Sequence, residues 1–157
     1  MPGWTSQSEV MDTKTDTKIG VWPTLIYRDG QAALKFLTEG LGFSLVAQYP
    51  GVAEGSIAHA ELAWPAGGGV MVSSIDRNAE PNEFDKYVDQ AAAVYLVHDD
   101  PDALWPKVMA AGATVLREMR DEDYGSRGFA VTDFEGNVWS VGTYGGEIGA
   151  SSTGPQQ

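Results

Sequence analysis

The residues best suited to chemistry in this chain are few and widely spaced. His59 and Glu61 stand two apart in His59-Ala-Glu-Leu62, so on a strand both leave one face while Ala60 and Leu62 leave the other. Leu62 belongs under a helix, which turns the His–Glu pair into the expected cleft. A carboxylate beside an imidazole orients the ring and favours its protonated form, the arrangement of a catalytic acid/base. An ordinary exposed strand pair reads the same way, and both accounts stay open. Arg127, a permanently charged fork, could hold a ligand carboxylate or phosphate, or it could close a salt bridge with Asp123 or Glu122. His98 abuts Asp99 and Asp100 and reads as a surface residue at a helix entry.

With no cysteine in 157 residues, a disulfide framework, a thiolate nucleophile and Cys-built metal centres are excluded. Two histidines leave little for a His-rich metal centre. Ten Lys and Arg against 22 Asp and Glu give a formal charge of −12, which repels phosphate backbones and anionic lipid and draws in cations. Neither nucleic acid nor membrane is an expected partner. No apolar run approaches the roughly 20 residues of a membrane helix, and the first 18 residues lack the basic start and apolar centre of a signal peptide. The expected location is cytoplasmic.

The elements that must position these residues emerge from an internal repeat. Residues 1–18 and 145–157 read as polar tails around a domain at 19–144, which keeps eight basic against eighteen acidic residues. Shifted by 70 without a gap, Thr24-Leu-Ile-Tyr-Arg-Asp29 falls on Val94-Tyr-Leu-Val-His-Asp99, and Gly42 falls on Gly112. In each copy a strand ends at an Asp suited to cap a helix, and the helix ends at a Gly suited to the left-handed C-terminal position. Three more extended segments follow in each, so modules at about 19–75 and 91–144 both read β-α-β-β-β. The joining stretch 76–90 is acidic, with Phe84 and Tyr87 three apart, and reads as a lid, a partner-contacting loop or a solvated spacer. The expected class is α+β, with two βαβββ modules pairing into a curved mixed sheet around a cleft and helices outside.

That arrangement, with Tyr124-Gly-Ser-Arg-Gly-Phe129 leading into Asp133-Phe-Glu-Gly-Asn-Val-Trp-Ser140, resembles the vicinal oxygen chelate superfamily. This group contains glyoxalase I, extradiol dioxygenases, fosfomycin-modifying enzymes and bleomycin-resistance proteins, and the closing segment is most similar to PhnB-like and bleomycin-resistance-like members. The resemblance implies a homodimer with two equivalent clefts. It also implies a divalent metal held by the first and last strands of each module, at positions falling on Trp22, Val72, Ala92 and Ser140. This set offers one neutral hydroxyl, so the expectation is no metal and no cofactor. Trp22 at such a position would fill the metal's space and, with Thr24, present a wall for an aromatic or cationic ligand. It could equally plug a closed cavity.

Three function classes remain: a metal-independent small-molecule binder that sequesters a hydrophobic or cationic compound, an isomerase- or lyase-type enzyme using His59 and Glu61 without metal, and a metal-dependent lyase or dioxygenase. The leading expectation is the non-catalytic binder, with Trp22, Thr24, Val72, Ala92, Arg127 and Ser140 lining its site.

Overall fold

The computed structural model describes residues 18–148; the expected terminal tails lie for the most part outside them. The first module runs β1 (Thr24–Tyr27), α1 (Gly30–Lys35) continued by a π-helical turn (Phe36–Leu41), β2 (Ser44–Pro50), β3 (Ile57–Ala63) and β4 (Gly69–Ser74). The second runs β5 (Ala93–Val97), α2 (Pro101–Ala110), β6 (Thr114–Asp121), β7 (Arg127–Thr132) and β8 (Val138–Gly142). Each forms a four-stranded mixed sheet, ordered β1-β4-β3-β2 and β5-β8-β7-β6, with the first strand parallel to the last. The α+β class and the two βαβββ modules are those expected.

The repeat carries a one-residue gap that the sequence shift hides. Asp29 caps α1 by accepting from the Ala32 N–H, and its structural counterpart is Asp100, which accepts from Ala103 with Pro101 following at the first helical position. The equivalence is therefore 71 residues at the helix starts and returns to 70 at the helix ends, where Gly42 and Gly112 take φ of 97° and 93°. The π turn in the first module absorbs the extra residue. There the Thr38 hydroxyl donates to the Leu34 carbonyl at 2.8 Å, a back-bond within the helix.

The modules meet through their helical sides. The π turn packs on α2 so closely that a Cβ added at Gly40 would lie 2.7 Å from that of Ala111. Phe43 packs between Trp64, tilted at 4.8 Å, and Trp139, edge to face at 5.8 Å, and one apolar core runs through both modules. Two hydrogen bonds from the first module to the second lock the ends: the Tyr27 hydroxyl donates to Asp133 at 2.8 Å, and the Trp64 indole donates to the Val97 carbonyl at 2.8 Å. Within one chain the helices thus occupy the module junction instead of the outside, because Leu34, Leu37, Leu41, Leu104 and Val108 bury more apolar surface against each other and the sheets than either module could alone. The sheet faces opposite the helices stay open.

Candidate functional site

Alternation along the strands decides which side chains reach the open faces. Leu25, Tyr27, Ala60, Leu62, Val70 and Val72 are buried toward the helices, and Thr24, Ile26, His59, Glu61, Met71 and Ser73 project from the other side. The His59 ring nitrogen lies 2.8 Å from the Glu61 carboxylate, with both side chains about one-third exposed. The Tyr49 ring stacks on His59 with centroids 6.3 Å apart and planes 26° from parallel. Bulges in the β2–β3 pairing set Tyr49 opposite His59, a register the sequence does not reveal. The result is an oriented imidazole with a carboxylate on one side and an aromatic face on the other.

The remaining expected site residues divide. Trp22 precedes β1, packs over Gly69 and donates its indole N–H to the Ile19 carbonyl at 3.2 Å; it is half-buried, beside exposed Thr24 at the edge of the first open face. Ser140 projects from the open face of the second sheet, paired with Tyr95 and Ala130. Val72 does not line a site: it is 1% exposed and sits under α1 beside Leu25, since counting from the turn glycine missed the strand's phase by one residue. Ala92 is also corrected. It packs toward the core with Val94, and counting back from the true cap at Asp100 puts Ala93 on the open face instead.

Arg127 points away from the open faces. Its guanidinium grips Asp102 of α2 with two hydrogen bonds, 2.7 and 2.9 Å, and reaches Asp121 at 3.3 Å. The bond to Asp102 above all, then that to Asp121, raises its already high pKa, and Arg127 in turn holds the Asp102 carboxyl below its usual range. The fork is consumed inside the chain, and its partners are Asp102 and Asp121, not Asp123 or Glu122. His98 keeps the expected helix-entry place, its Nδ1 accepting from the Asp100 N–H at 2.9 Å.

Sequence reasoning passed over a tyrosine cluster on the second sheet. Tyr95 donates to the Tyr144 carbonyl at 2.8 Å, and Tyr144 meets Tyr124 edge to face at 5.9 Å, with all three at least two-fifths exposed. The linker lies over one rim of the first open face. Asn82, Phe84 and Asp85 join Ile26, Val52 and Ser73 around a cavity of about 440 Å3, and Arg28 pairs with Asp89 to tie the linker down.

The Asp133-Phe-Glu-Gly-Asn137 turn serves architecture. Buried Asp133 accepts from Tyr27, Trp139, Asn137 and two backbone N–H groups, and Glu135 accepts from the Arg28 and Asp29 N–H groups at the mouth of α1. One module's signature turn thus holds the other's strand-to-helix junction.

A family model described as the glyoxalase/bleomycin resistance protein/dioxygenase superfamily matches residues 21–141. The chain belongs to that superfamily. Among solved structures, TioX from Micromonospora sp. ML1 is 27% identical, with a TM-score of 0.61 over 78% of this chain and 98% of that one. The fosfomycin resistance protein FosX from Mesorhizobium loti is 16% identical, with a TM-score of 0.53 over 82% and 95%. A glyoxalase I mutant from Zea mays, 16% identical, has a TM-score of 0.57 over 77% and 43%. The latter two likenesses show the fold alone. A comparison with curated protein sequences finds no match.

Several enzymes of the superfamily hold a divalent ion on the first and last strands of each module. On the open faces the corresponding places carry Trp22, Met71, Ala93 and Ser140, and among the described residues no group of three or more His, Asp or Glu side chains could hold a metal. The donors do not fit a hard divalent cation, which needs several oxygen or nitrogen ligands at once.

Proposed function

We propose that the protein is a small-molecule binder of this superfamily, akin to its bleomycin-resistance-like and PhnB-like members, that sequesters a hydrophobic, cationic compound without a metal. One observation carries the reading: the open face presents Tyr49, His59 and Glu61 as an aromatic and anionic surface, while the family's metal-donor places carry Trp22, Met71, Ala93 and Ser140. An aromatic face and a carboxylate together favour an organic cation, by cation–π attraction and charge pairing. The net charge of −12 adds long-range attraction of the same sign.

A single open sheet face encloses little, and in one chain the two faces remain on separate sheets. The reading therefore includes a homodimer in which the first-module face of one copy meets the second-module face of the other, bringing Tyr95 and Ser140 opposite Tyr49 and Glu61. Light scattering should give twice the 16.8 kDa of one chain; a stable monomer would remove this part. The binding test is calorimetric titration with naphthylmethylammonium and with naphthoate at two salt concentrations. Ammonium binding that weakens with salt and is lost in Glu61→Gln and Tyr49→Ala supports the proposal. Absence of ammonium binding, or binding indifferent to both substitutions, overturns it.

The 2.8 Å His59–Glu61 contact favours a second reading, in which the pair moves a proton on an enolisable carbonyl substrate. Solvent deuterium incorporation into such a compound, abolished in His59→Gln, would establish it. No exchange above buffer across a panel of ketones and aldehydes would leave the binder alone.

A further inference from the structure

The groove between the two helices lies on the helical side of the sheets, away from the open faces, and its lining carries Lys35 and Lys107 against Glu39. It measures about 530 Å3 and is lined by Ala32, Lys35, Phe36, Glu39, Lys107, Ala110, Ala111 and Phe134, a size suited to a small organic molecule. Phe36 forms a buried floor, and Phe134, 64% exposed, meets it edge-on at 5.9 Å as one wall. Together the two rings give the groove an apolar floor and wall on which an apolar body can lie.

The rim chemistry selects what that is. In this acidic protein Arg28, Arg117, Arg120 and Arg127 are all engaged by carboxylates. Among the described residues Lys35 and Lys107, like Lys18, Arg77 and Lys86, have no acidic partner within 4.0 Å, and of these five only Lys35 and Lys107 line the groove. One stands on each helix, so two ammonium groups and their apolar stems flank the groove. Glu39 on the same rim leaves one net positive charge, which matches a monoanion.

The π turn adds a separate argument. The first module's helix holds one residue more than the second's, and the extra residue is accommodated where Phe36 and Glu39 line the groove. Such turns have poorer hydrogen bonding than an α-helix and concentrate at functional sites.

We infer that this groove is a second binding site, for a small aromatic or long-chain monocarboxylate whose apolar body lies on Phe36 and Phe134 and whose carboxylate lies between Lys35 and Lys107. It is independent of the open-face site. The probe is 2-naphthoate, titrated calorimetrically and followed by methyl NMR of Ala32, Ala110 and Ala111. Expected are one site per chain, ring-current shifts at those three methyls, and at least tenfold weaker binding in Lys35→Glu/Lys107→Glu. Phe134→Ala should weaken binding with both lysines in place, while Tyr49→Ala should leave it unchanged. Circular dichroism confirms that the exposed substitutions keep the fold. Absence of naphthoate binding at millimolar concentration, or binding that survives the double charge reversal, overturns the inference. Loss in Tyr49→Ala would move naphthoate to the open face and overturn it equally.

Discussion

Replacing Tyr27 by Phe tests whether the signature turn joins the two modules. The side chain is 1% exposed, and its hydroxyl donates to Asp133 Oδ2 at 2.8 Å. Phe keeps the ring and leaves almost no cavity, so the loss is that of one hydrogen bond to a charged acceptor, worth about 1.5–3 kcal/mol. Oδ2 retains the Asn137 amide at 3.1 Å and the Trp139 indole at 3.1 Å. The carboxylate is not orphaned, which places the cost near ~2 kcal/mol and lowers Tm by roughly 4–8 °C. Urea melts at pH 7 read the loss as a lower midpoint with unchanged slope.

The pH dependence supplies an independent check. Burial first, and the Asp133 charge second, push the Tyr27 hydroxyl far above its ordinary value. A group raised in the folded state stabilises fully below its unfolded pKa of about 10 and loses that contribution as pH rises above it, at about 1.4 kcal/mol per pH unit. The ~2 kcal/mol gap between wild type and Tyr27→Phe should therefore close within about 1.5 pH units above 10. Equal stability at pH 7, or a gap that stays constant to pH 12, would refute the clamp.

Arg127→Ala should leave the affinity for naphthylmethylammonium and naphthoate unchanged by calorimetry, since the guanidinium is spent on Asp102 and Asp121. Gly40→Val should lower stability by about 1–3 kcal/mol in urea melts, because the added side chain enters the space of Ala111 and core overpacking costs that much. Trp22→Ala should cost about 2 kcal/mol, less than a fully buried aromatic truncation, because the indole is only partly buried; a loss of about 4 kcal/mol or more in the same melts would restore the plug. Acid should destabilise the fold: hydrogen bonding to Arg127 and Arg120 holds Asp102 and Glu122 below the usual carboxylate range. Their contribution is present above pH ~4 and lost as pH falls through the lowered values, so midpoints measured between pH 5 and 2 should drop less in Asp102→Asn.

Much of the fold was legible because it rests on local signals. The Asp caps, the left-handed glycines, the alternating apolar runs and the duplicated β-α-β-β-β order are each set by residues close in sequence. His59 and Glu61 were placed together by the same two-residue alternation. The phase of Ala92 was not legible, because a residue inserted in the π turn shifted one repeat against the other and that turn depends on packing against α2; Val72 was missed because the β3–β4 turn sets the phase of β4 one residue away from a count taken at Gly68. Tyr49 joined His59 only through bulges in the β2–β3 pairing. Arg127 was drawn from the site to Asp102, 25 positions earlier, by a contact that exists only once α2 lies against β7. The side on which the modules join was equally undetermined, since alternation shows that each sheet has an apolar face and not what covers it. Tertiary structure decided that question by burying the helices against each other, which leaves Tyr49, His59 and Glu61 facing outward and Lys35 and Lys107 flanking a groove of their own.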